Sequence, residues 1–221
     1  MHHAAIFDLD GTLVDSYDAH FEAWRGISAR HGVEVTVDDY YAHFGRRNED
    51  LLRDCWRRAG KGDLDAAAIH ALDEEKEAAY RAIVAARFPI MDGARELVAA
   101  LRADGFRTAV GSSGPPLNVA RAIEGLALEA AFDAVVTGRD VVRSKPDPEC
   151  FLLAAEKVGV DPARCVVFED APAGIAAAKA AGMKCIAVTS KGHTPERQRD
   201  ADLVVPSVLH VGVAQVRALL A

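Results

Sequence analysis

The fold is decided by one stretch near the start of the chain, AAIFDLDGTLVDS at residues 4–16. Its first four residues are apolar, as in a parallel strand covered on both faces, and Gly11 then favours a tight turn. Side chains at the carboxyl end of such a strand point into the crevice where α/β proteins bind ligands. Residues two apart share a strand face, so Asp8 and Asp10 are expected side by side if the extended geometry continues that far. Two such carboxylates suit a cation, although Asp10-Gly11 alone is equally consistent with an ordinary turn.

Composition narrows the class of protein. With 221 residues, half of them hydrophobic, the chain is long enough for one domain with an insert or for two modest domains. The net charge of -7 argues against nucleic acid and anionic membranes as partners. No apolar run approaches the 18 or so residues of a membrane span, and we expect neither a span nor a signal peptide. Four widely spaced cysteines without a CxxC pair indicate reduced thiols in a cytoplasmic protein: Cys55, Cys150, Cys165 and Cys185.

The pattern changes along the chain in a way that predicts two domains. Residues 16–88 show only helical periodicity, whereas from residue 89 short apolar runs alternate with helices. The predicted strands of this second part are 108–111, 134–137, 165–168 and 185–188. Such alternation is typical of a parallel sheet with right-handed crossovers, to which the first strand also belongs. The predicted fold class is therefore α/β, with a core from residues 1–15 and 89–221 and an all-helical domain from residues 16–88 inserted after strand one.

Polar groups follow several of these strands at their carboxyl ends. Ser112 and Ser113, in a Gly-Ser-Ser-Gly loop, offer hydroxyl and backbone N–H groups for phosphate oxygens. Lys145 offers an ammonium, and Glu169-Asp170 offers two more carboxylates. Each segment alone is more often an ordinary loop, turn or helix cap. Together they supply what phosphoryl transfer requires, namely acids for a hard cation, donors for an oxyanion and one balancing lysine.

Four segments, DLDGT, the hydroxyl at Ser112, SKPDPE and FEDAPAG, resemble the haloacid dehalogenase superfamily of phosphohydrolases. The resemblance covers nearly the whole chain. It implies a Rossmann-like core with a helical cap after strand one, as in the branch that contains sugar-phosphate phosphatases and beta-phosphoglucomutase. It further implies a nucleophile at Asp8, a general acid/base at Asp10, phosphate binding by Ser112, Ser113 and Lys145, and a Mg²⁺ site formed by Asp8, Asp10, Glu169 and Asp170. Ala171 departs from the serine of many relatives, a change that we expect to be tolerated.

These residues predict a Mg²⁺-dependent phosphohydrolase that cleaves a small phosphorylated metabolite, such as a sugar phosphate, through an aspartyl-phosphate on Asp8. A phosphate dianion repels nucleophiles, and the cation, Lys145 and the loop amides would offset that charge. Asp10 would protonate the leaving alkoxide and later activate water, a role that the dehalogenase reaction does not need. The alternatives are a beta-phosphoglucomutase-like isomerase and a non-catalytic phosphate-binding protein, although the latter would be expected to have lost one of the core residues.

Cap residues are the candidates for substrate contact. Lys76 and His20 each occupy an apolar stripe of a predicted helix, where a snorkelling lysine or a core histidine is an equally good interpretation. Both positions match residues that face the active site in beta-phosphoglucomutase. The mutase also has an arginine that grips the second phosphate, three residues after a cap glycine, where this chain has Asn48. Arg46 or Arg47 would have to replace that arginine, so the phosphatase is favoured over the mutase.

Overall fold

The computed structural model of the protein describes residues 2–43, 48–191 and 193–221. Contacts within the chain divide it into two units. One unit runs up to Asp15 and resumes at Ile90, and the other comprises Ser16–Pro89. We refer to them as the core and the cap. None of the helices in these described ranges combines the length and the apolar content needed to cross a bilayer.

The core is built on a six-stranded parallel sheet in the order β3-β2-β1-β4-β5-β6. The strands are β1 (Ala4–Phe7), β2 (Arg107–Gly111), β3 (Ala134–Val136), β4 (Cys165–Glu169), β5 (Lys184–Val188) and β6 (Leu203–Val205). The helices of this unit are α5 (Ala94–Ala103), α6 (Pro116–Gly125), α7 (Glu149–Val158), α8 (Pro172–Ala180) and α9 (Val213–Leu219), and three short 3-10 turns complete it.

The first strand lies in the middle of the sheet, paired with β2 on one side and β4 on the other. All four of its residues are fully buried, which explains why the sequence shows a continuous apolar run there. Phe7 stands opposite Val110 and Phe168 in the register, and its ring stacks on that of Phe168 with centroids 4.7 Å apart. The residues that follow β2, β1 and β4 are therefore neighbours at the carboxyl ends of these parallel strands.

Helices form most of the cap, and no strand lies among its described residues. Its helices are α1 (Tyr17–Arg30), α2 (Val37–His43), α3 (Asn48–Arg58) and α4 (Ala66–Ala86). Asp65 begins α4 by accepting a hydrogen bond from the backbone N–H of Ala68, the usual role of an N-cap aspartate. The apolar stripes of the helices meet in a core that includes Trp24, Leu52 and Leu72. The cap thus has its own hydrophobic centre.

The structure confirms the predicted fold class, a central parallel sheet with helices and an inserted helical unit. The five predicted strands are present, with ends that differ by one residue at most. Two elements, β6 and α9, were not predicted from the sequence. The sixth strand has only three residues, two of them half-buried, and so short a run is too weak a periodic signal to identify. The four cysteines are buried free thiols.

Candidate active site

The turn after β1 places Asp8 and Asp10 differently. The regular strand ends at Phe7, and Asp8 continues it by one hydrogen bond, from its N–H to the carbonyl of Phe168 at 2.9 Å. The backbone then folds over, because Gly11 adopts a left-handed φ of 77° and its N–H donates to the Val14 carbonyl. The simple alternation of a strand therefore does not extend to Asp10.

Asp8 is bonded to the lysine of the constellation. The Nζ of Lys145 lies 2.8 Å from Oδ1 of Asp8, 2.7 Å from Oε1 of Glu169 and 3.1 Å from the carbonyl of Gly111. Its three donors thus reach the ends of β1, β4 and β2. Asp8 is 7% exposed and Glu169 is 1% exposed, so this ion-pair group is nearly enclosed. Three residues that are distant in sequence are brought together here.

Burial controls the protonation of this group. It raises the pKa of Asp8 to about 7, and the neighbouring charges of Glu169 and Asp10 add to the rise, while Lys145 opposes it. Burial alone would lower the pKa of Lys145, but the carboxylates of Asp8 and Glu169 more than offset that effect and raise it. Lys145 therefore stays charged throughout the physiological range. Asp8 needs additional positive charge to be fully ionised near neutrality.

Glu169 and Asp170 end β4 and precede α8. The second oxygen of Glu169 accepts hydrogen bonds of 2.7 Å from the backbone N–H groups of Asp170 and Ala171, at the start of α8. Asp170 is 2% exposed, and burial followed by the charges of Glu169 and Asp8 raises its pKa well above the usual range. A Cβ at Gly11 would lie only 2.0 Å from Oδ2 of Asp170. Glycine at this position allows the carboxylate of Asp170 to reach the Asp8–Asp10 turn.

The loop after β2 carries Ser112 and Ser113. Ser112 is buried, and its hydroxyl accepts a hydrogen bond from the N–H of Gly114, while Ser113 is exposed. The loop leads directly into α6, whose N-cap and first residue, Pro115 and Pro116, have no N–H, so backbone donors for an anion would come from the loop itself. Oδ2 of Asp10 lies 3.9 Å from the position that a Cβ on Gly114 would take, so the Asp10 carboxylate faces this loop.

The donor set of the site fits Mg²⁺. Asp8, Glu169 and Asp170 are buried carboxylates beside the ammonium of Lys145, and Asp10 adds a fourth acid. A buried excess of negative charge with oxygen donors only is the environment that a hard divalent cation stabilises. Among the described residues, no group of three or more acids, histidines or cysteines is arranged so that it could hold a metal ion without some movement of the side chains. Both carboxylate oxygens of Glu169 already have protein partners, one of them Lys145. Direct binding of the metal by Glu169 therefore stays a prediction.

The cap residues singled out from the sequence have specific contacts. Lys76 is buried, and its Nζ lies 2.7 Å from Oε1 of Glu77 and 5.3 Å from the centre of the Trp24 ring. His20 stacks on Tyr80, with ring centroids 3.8 Å apart and planes 6° apart. Substrate contact by His20 and Lys76 stays a prediction. Arg46 and Arg47 lie outside the residues that the structure describes.

The structure adds three polar residues to the site that were not predicted from the sequence, Ser190, Gln198 and His193. The hydroxyl of Ser190 donates to Oδ2 of Asp170 at 2.6 Å, and the side-chain amide of Gln198 donates to the Asp170 carbonyl at 2.6 Å. His193 is buried with Nε2 4.0 Å from Oδ2 of Asp170, and burial followed by Arg197 lowers its pKa to about 4. Ser190 follows a predicted strand by two residues, so the rule that polar residues at strand ends build sites could have identified it.

Comparison with known proteins gives a consistent picture. A family model of haloacid dehalogenase-like hydrolases matches residues 2–182. Hexitol phosphatase A of Escherichia coli strain K12 is 38% identical over 210 residues, which cover 95% of this chain and 93% of that protein. Validoxylamine A 7'-phosphate phosphatase of Streptomyces hygroscopicus subsp. limoneus is 35% identical over 214 residues, 96% of either protein. The crystal structure of beta-phosphoglucomutase from Clostridium difficile matches with a TM-score of 0.87 at 25% identity and covers 100% of this chain and 97% of that one.

Proposed function

Because the chain belongs to the haloacid dehalogenase-like hydrolases, we propose that it is a Mg²⁺-dependent phosphohydrolase that cleaves a small sugar phosphate or polyol phosphate. The observation that carries the proposal is the Lys145 ammonium bonded to the Asp8 carboxylate beside the Ser112 loop. The names of the relatives, a hexitol phosphatase and a validoxylamine 7'-phosphate phosphatase, support a phosphorylated polyhydroxy compound as substrate.

Asp8 is the proposed nucleophile. One of its oxygens attacks phosphorus, the bond from phosphorus to the ester oxygen breaks, and an aspartyl-phosphate forms. Lys145 holds Asp8 through Oδ1 and is close enough to the Gly111 end of the loop to balance phosphate charge as well. The hydroxyl of Ser112 and the backbone N–H groups of Ser113 and Gly114 hold the other phosphate oxygens, in the loop before α6.

Asp10 is the proposed general acid and base. It gives its proton to the departing alkoxide, then takes a proton from the water that attacks the aspartyl-phosphate and releases inorganic phosphate. The two aspartates are suited to different tasks by their surroundings. Asp8 is bonded to an ammonium, whereas the carboxylate of Asp10 faces the Ser112–Gly114 loop and is less buried.

Mg²⁺ would be held by Asp8 and Asp170, with Asp10 and Glu169 close by, and would supply positive charge that the buried acids lack. That charge would draw electron density from the phosphoryl group. Lys145 keeps Asp8 aligned, and the burial of the carboxylates excludes water from them.

The proposal is tested by phosphate release from a panel of hexose, hexitol and aryl phosphates with Mg²⁺. Asp8→Asn should retain less than a tenth of the wild-type rate with its fold intact, since an amide is a poor nucleophile. Asp200→Asn, a change at an exposed aspartate, is the matched control and should leave the rate unchanged. Wild-type protein that releases no phosphate from any member of the panel, or an Asp8→Asn enzyme near full activity, would overturn the proposal.

The role of Asp10 has a separate test. With p-nitrophenyl phosphate the leaving group needs little acid help, so Asp10→Asn should still form the aspartyl-phosphate while its hydrolysis slows. Rapid-mixing experiments should then show a burst of nitrophenol followed by a slow steady rate. A variant that gives neither a burst nor a phosphorylated protein by mass spectrometry would remove Asp10 from the acid/base role.

A second candidate function is a mutase, favoured by the structural match to beta-phosphoglucomutase. It would convert beta-glucose 1-phosphate to glucose 6-phosphate when the 1,6-bisphosphate is supplied. We expect steady phosphate release to exceed this conversion. If isomerisation were a hundred times faster than phosphate release under the same conditions, the mutase would be the correct assignment.

A further inference from the structure

Oδ2 of Asp170 is held from two sides. On one side the backbone of Gly11 is so close that a Cβ there would lie 2.0 Å from this oxygen. On the other side the hydroxyl of Ser190 donates to it at 2.6 Å, at the short end of the range for O–H···O hydrogen bonds. A carboxylate held in this way cannot rotate freely about its last side-chain bond. Its other oxygen, Oδ1, is thereby given a defined direction.

The support for Asp170 comes from residues beyond β5. Ser190 is the second residue after that strand, and Gln198, which is fully buried, donates from one amide nitrogen to the Asp170 carbonyl at 2.6 Å and to the Val188 carbonyl at 2.8 Å. The hydroxyl of Thr189 in turn donates to the Gln198 side-chain oxygen at 3.0 Å. The backbone and the carboxylate of Asp170 are thus both bonded to this neighbouring part of the chain.

We propose that Ser190 is a positioning residue for the cation site: its hydroxyl holds one oxygen of Asp170 so that the other is directed at the metal. The inference rests on the proposed function, because it needs Asp170 to be a ligand. It adds a residue outside the four motif segments, at the end of a fifth strand, to the machinery of the site.

The expected size of the effect follows from how metal sites depend on groups behind the ligands. Loss of a hydrogen bond to a ligating carboxylate commonly weakens metal binding by about 10-fold to 100-fold. Ser190→Ala removes one such bond but leaves Gly11 and Gln198 in place, so we expect a loss of about 10-fold in Mg²⁺ affinity. The kcat at saturating Mg²⁺ should change by less than about threefold, because Ser190 contacts the metal-binding Asp170 and not the substrate.

The experiment measures Mg²⁺ binding directly by titration calorimetry on purified full-length protein without substrate. The variants are Ser190→Ala, Ser190→Thr, which keeps the hydroxyl, and Ser28→Ala as the matched control. Ser28 is a buried cap serine whose hydroxyl has no hydrogen-bond partner among the described residues. If Ser190→Ala does not fold, Ser190→Cys takes its place, since a thiol has similar size but is a weak donor. Thermal unfolding in EDTA checks that each variant is folded.

Support for the proposal would be weaker Mg²⁺ binding by Ser190→Ala, wild-type-like binding by Ser190→Thr and Ser28→Ala, and a raised Mg²⁺ requirement for activity without a matching fall in kcat. Equal Mg²⁺ affinity of Ser190→Ala and wild type would overturn it, and so would equal weakening by all three substitutions. If wild-type protein binds no Mg²⁺ and hydrolyses no phosphate ester, the proposed function itself fails. The inference alone fails when wild type binds and hydrolyses normally but Ser190→Ala is indistinguishable from it.

Discussion

Acidification of the metal-free protein should make the Asp8 site stabilise the fold, the reverse of what a salt-bridged carboxylate usually does. Burial raises the pKa of Asp8 to about 7 in the folded protein, against an ordinary value of 3.8. Between these values the folded chain keeps a proton that the unfolded chain has lost. The stabilisation is therefore complete below 3.8 and disappears as the pH rises through 7.

The size follows from the two pKa values. Their difference corresponds to about 4 kcal/mol in total, of which about 3 kcal/mol is gained between pH 8 and pH 5. His193 acts in the opposite direction, because burial lowers its pKa from 6.5 to about 4. Because the folded protein keeps His193 neutral while the unfolded chain protonates it, His193 lowers the free energy of unfolding by about 2 kcal/mol between pH 8 and pH 5. The contribution of Asp8 must therefore be isolated by comparison with Asp8→Asn, which retains His193.

The assay is urea unfolding of wild type and Asp8→Asn at pH 5 and pH 8 in EDTA. Between pH 8 and pH 5 the free energy of unfolding should rise by about 3 kcal/mol more for wild type than for the variant. Saturating Mg²⁺ should reduce this difference, since a bound cation favours ionised Asp8. Equal responses of both proteins to pH in EDTA would show that Asp8 does not cause this pH dependence, and so would a larger gain in the free energy of unfolding for the variant than for wild type.

Three further predictions concern other parts of the site. Lys145→Met should lower the free energy of unfolding at pH 8 by about 3 to 5 kcal/mol in urea melts, because it leaves two buried carboxylates without their ammonium, and an unchanged midpoint would contradict this. Gly138→Ala should raise KM about tenfold, since a Cβ there would lie 2.3 Å from the Ser113 carbonyl and displace the phosphate loop; Gly26→Ala, at a helical glycine with open space around it, should leave KM unchanged. EDTA should abolish activity and Mg²⁺ restore it, whereas Ca²⁺ should inhibit because of its longer, looser coordination, so that full activity in EDTA would exclude the metal.

The sequence was sufficient for the fold and the family because both depend on buried, local patterns. A fully buried central strand reads as an unbroken apolar run, and the residues after Phe7, Gly111 and Phe168 fall at neighbouring strand ends once the sheet order is known. The resemblance to haloacid dehalogenase-like hydrolases is confirmed by the family match and the phosphatase relatives, as is the expectation of an enzyme. The roles of individual residues remain predictions.

Contacts that depend on close approach could not be read from the sequence. Nothing in the spacing indicates that Lys145 would bridge Asp8 and Glu169, or that Ser190 would reach Asp170. Such contacts depend on how far each loop extends beyond its strand, which hydrophobic periodicity does not encode. The sequence likewise left open whether the extended geometry reaches Asp10, and the strand in fact ends at Phe7, before the turn that contains Gly11.

The described cap contacts bear on the choice between phosphatase and mutase. A mutase needs a cationic group for the second phosphate of its bisphosphate intermediate. Asn48, at the position of the mutase arginine, donates from its amide to Oδ1 of Asp73 at 2.7 Å, so this side chain is engaged with an acid of the cap. The buried ammonium of Lys76 is paired with Glu77, which offsets its charge. Arg46 and Arg47, the alternative phosphate contacts, lie outside the described residues. Among the described cap residues, an asparagine bonded to an acid and a lysine paired with a glutamate favour the hydroxyl groups of a monophosphate over a second phosphate. These contacts support the proposed phosphatase.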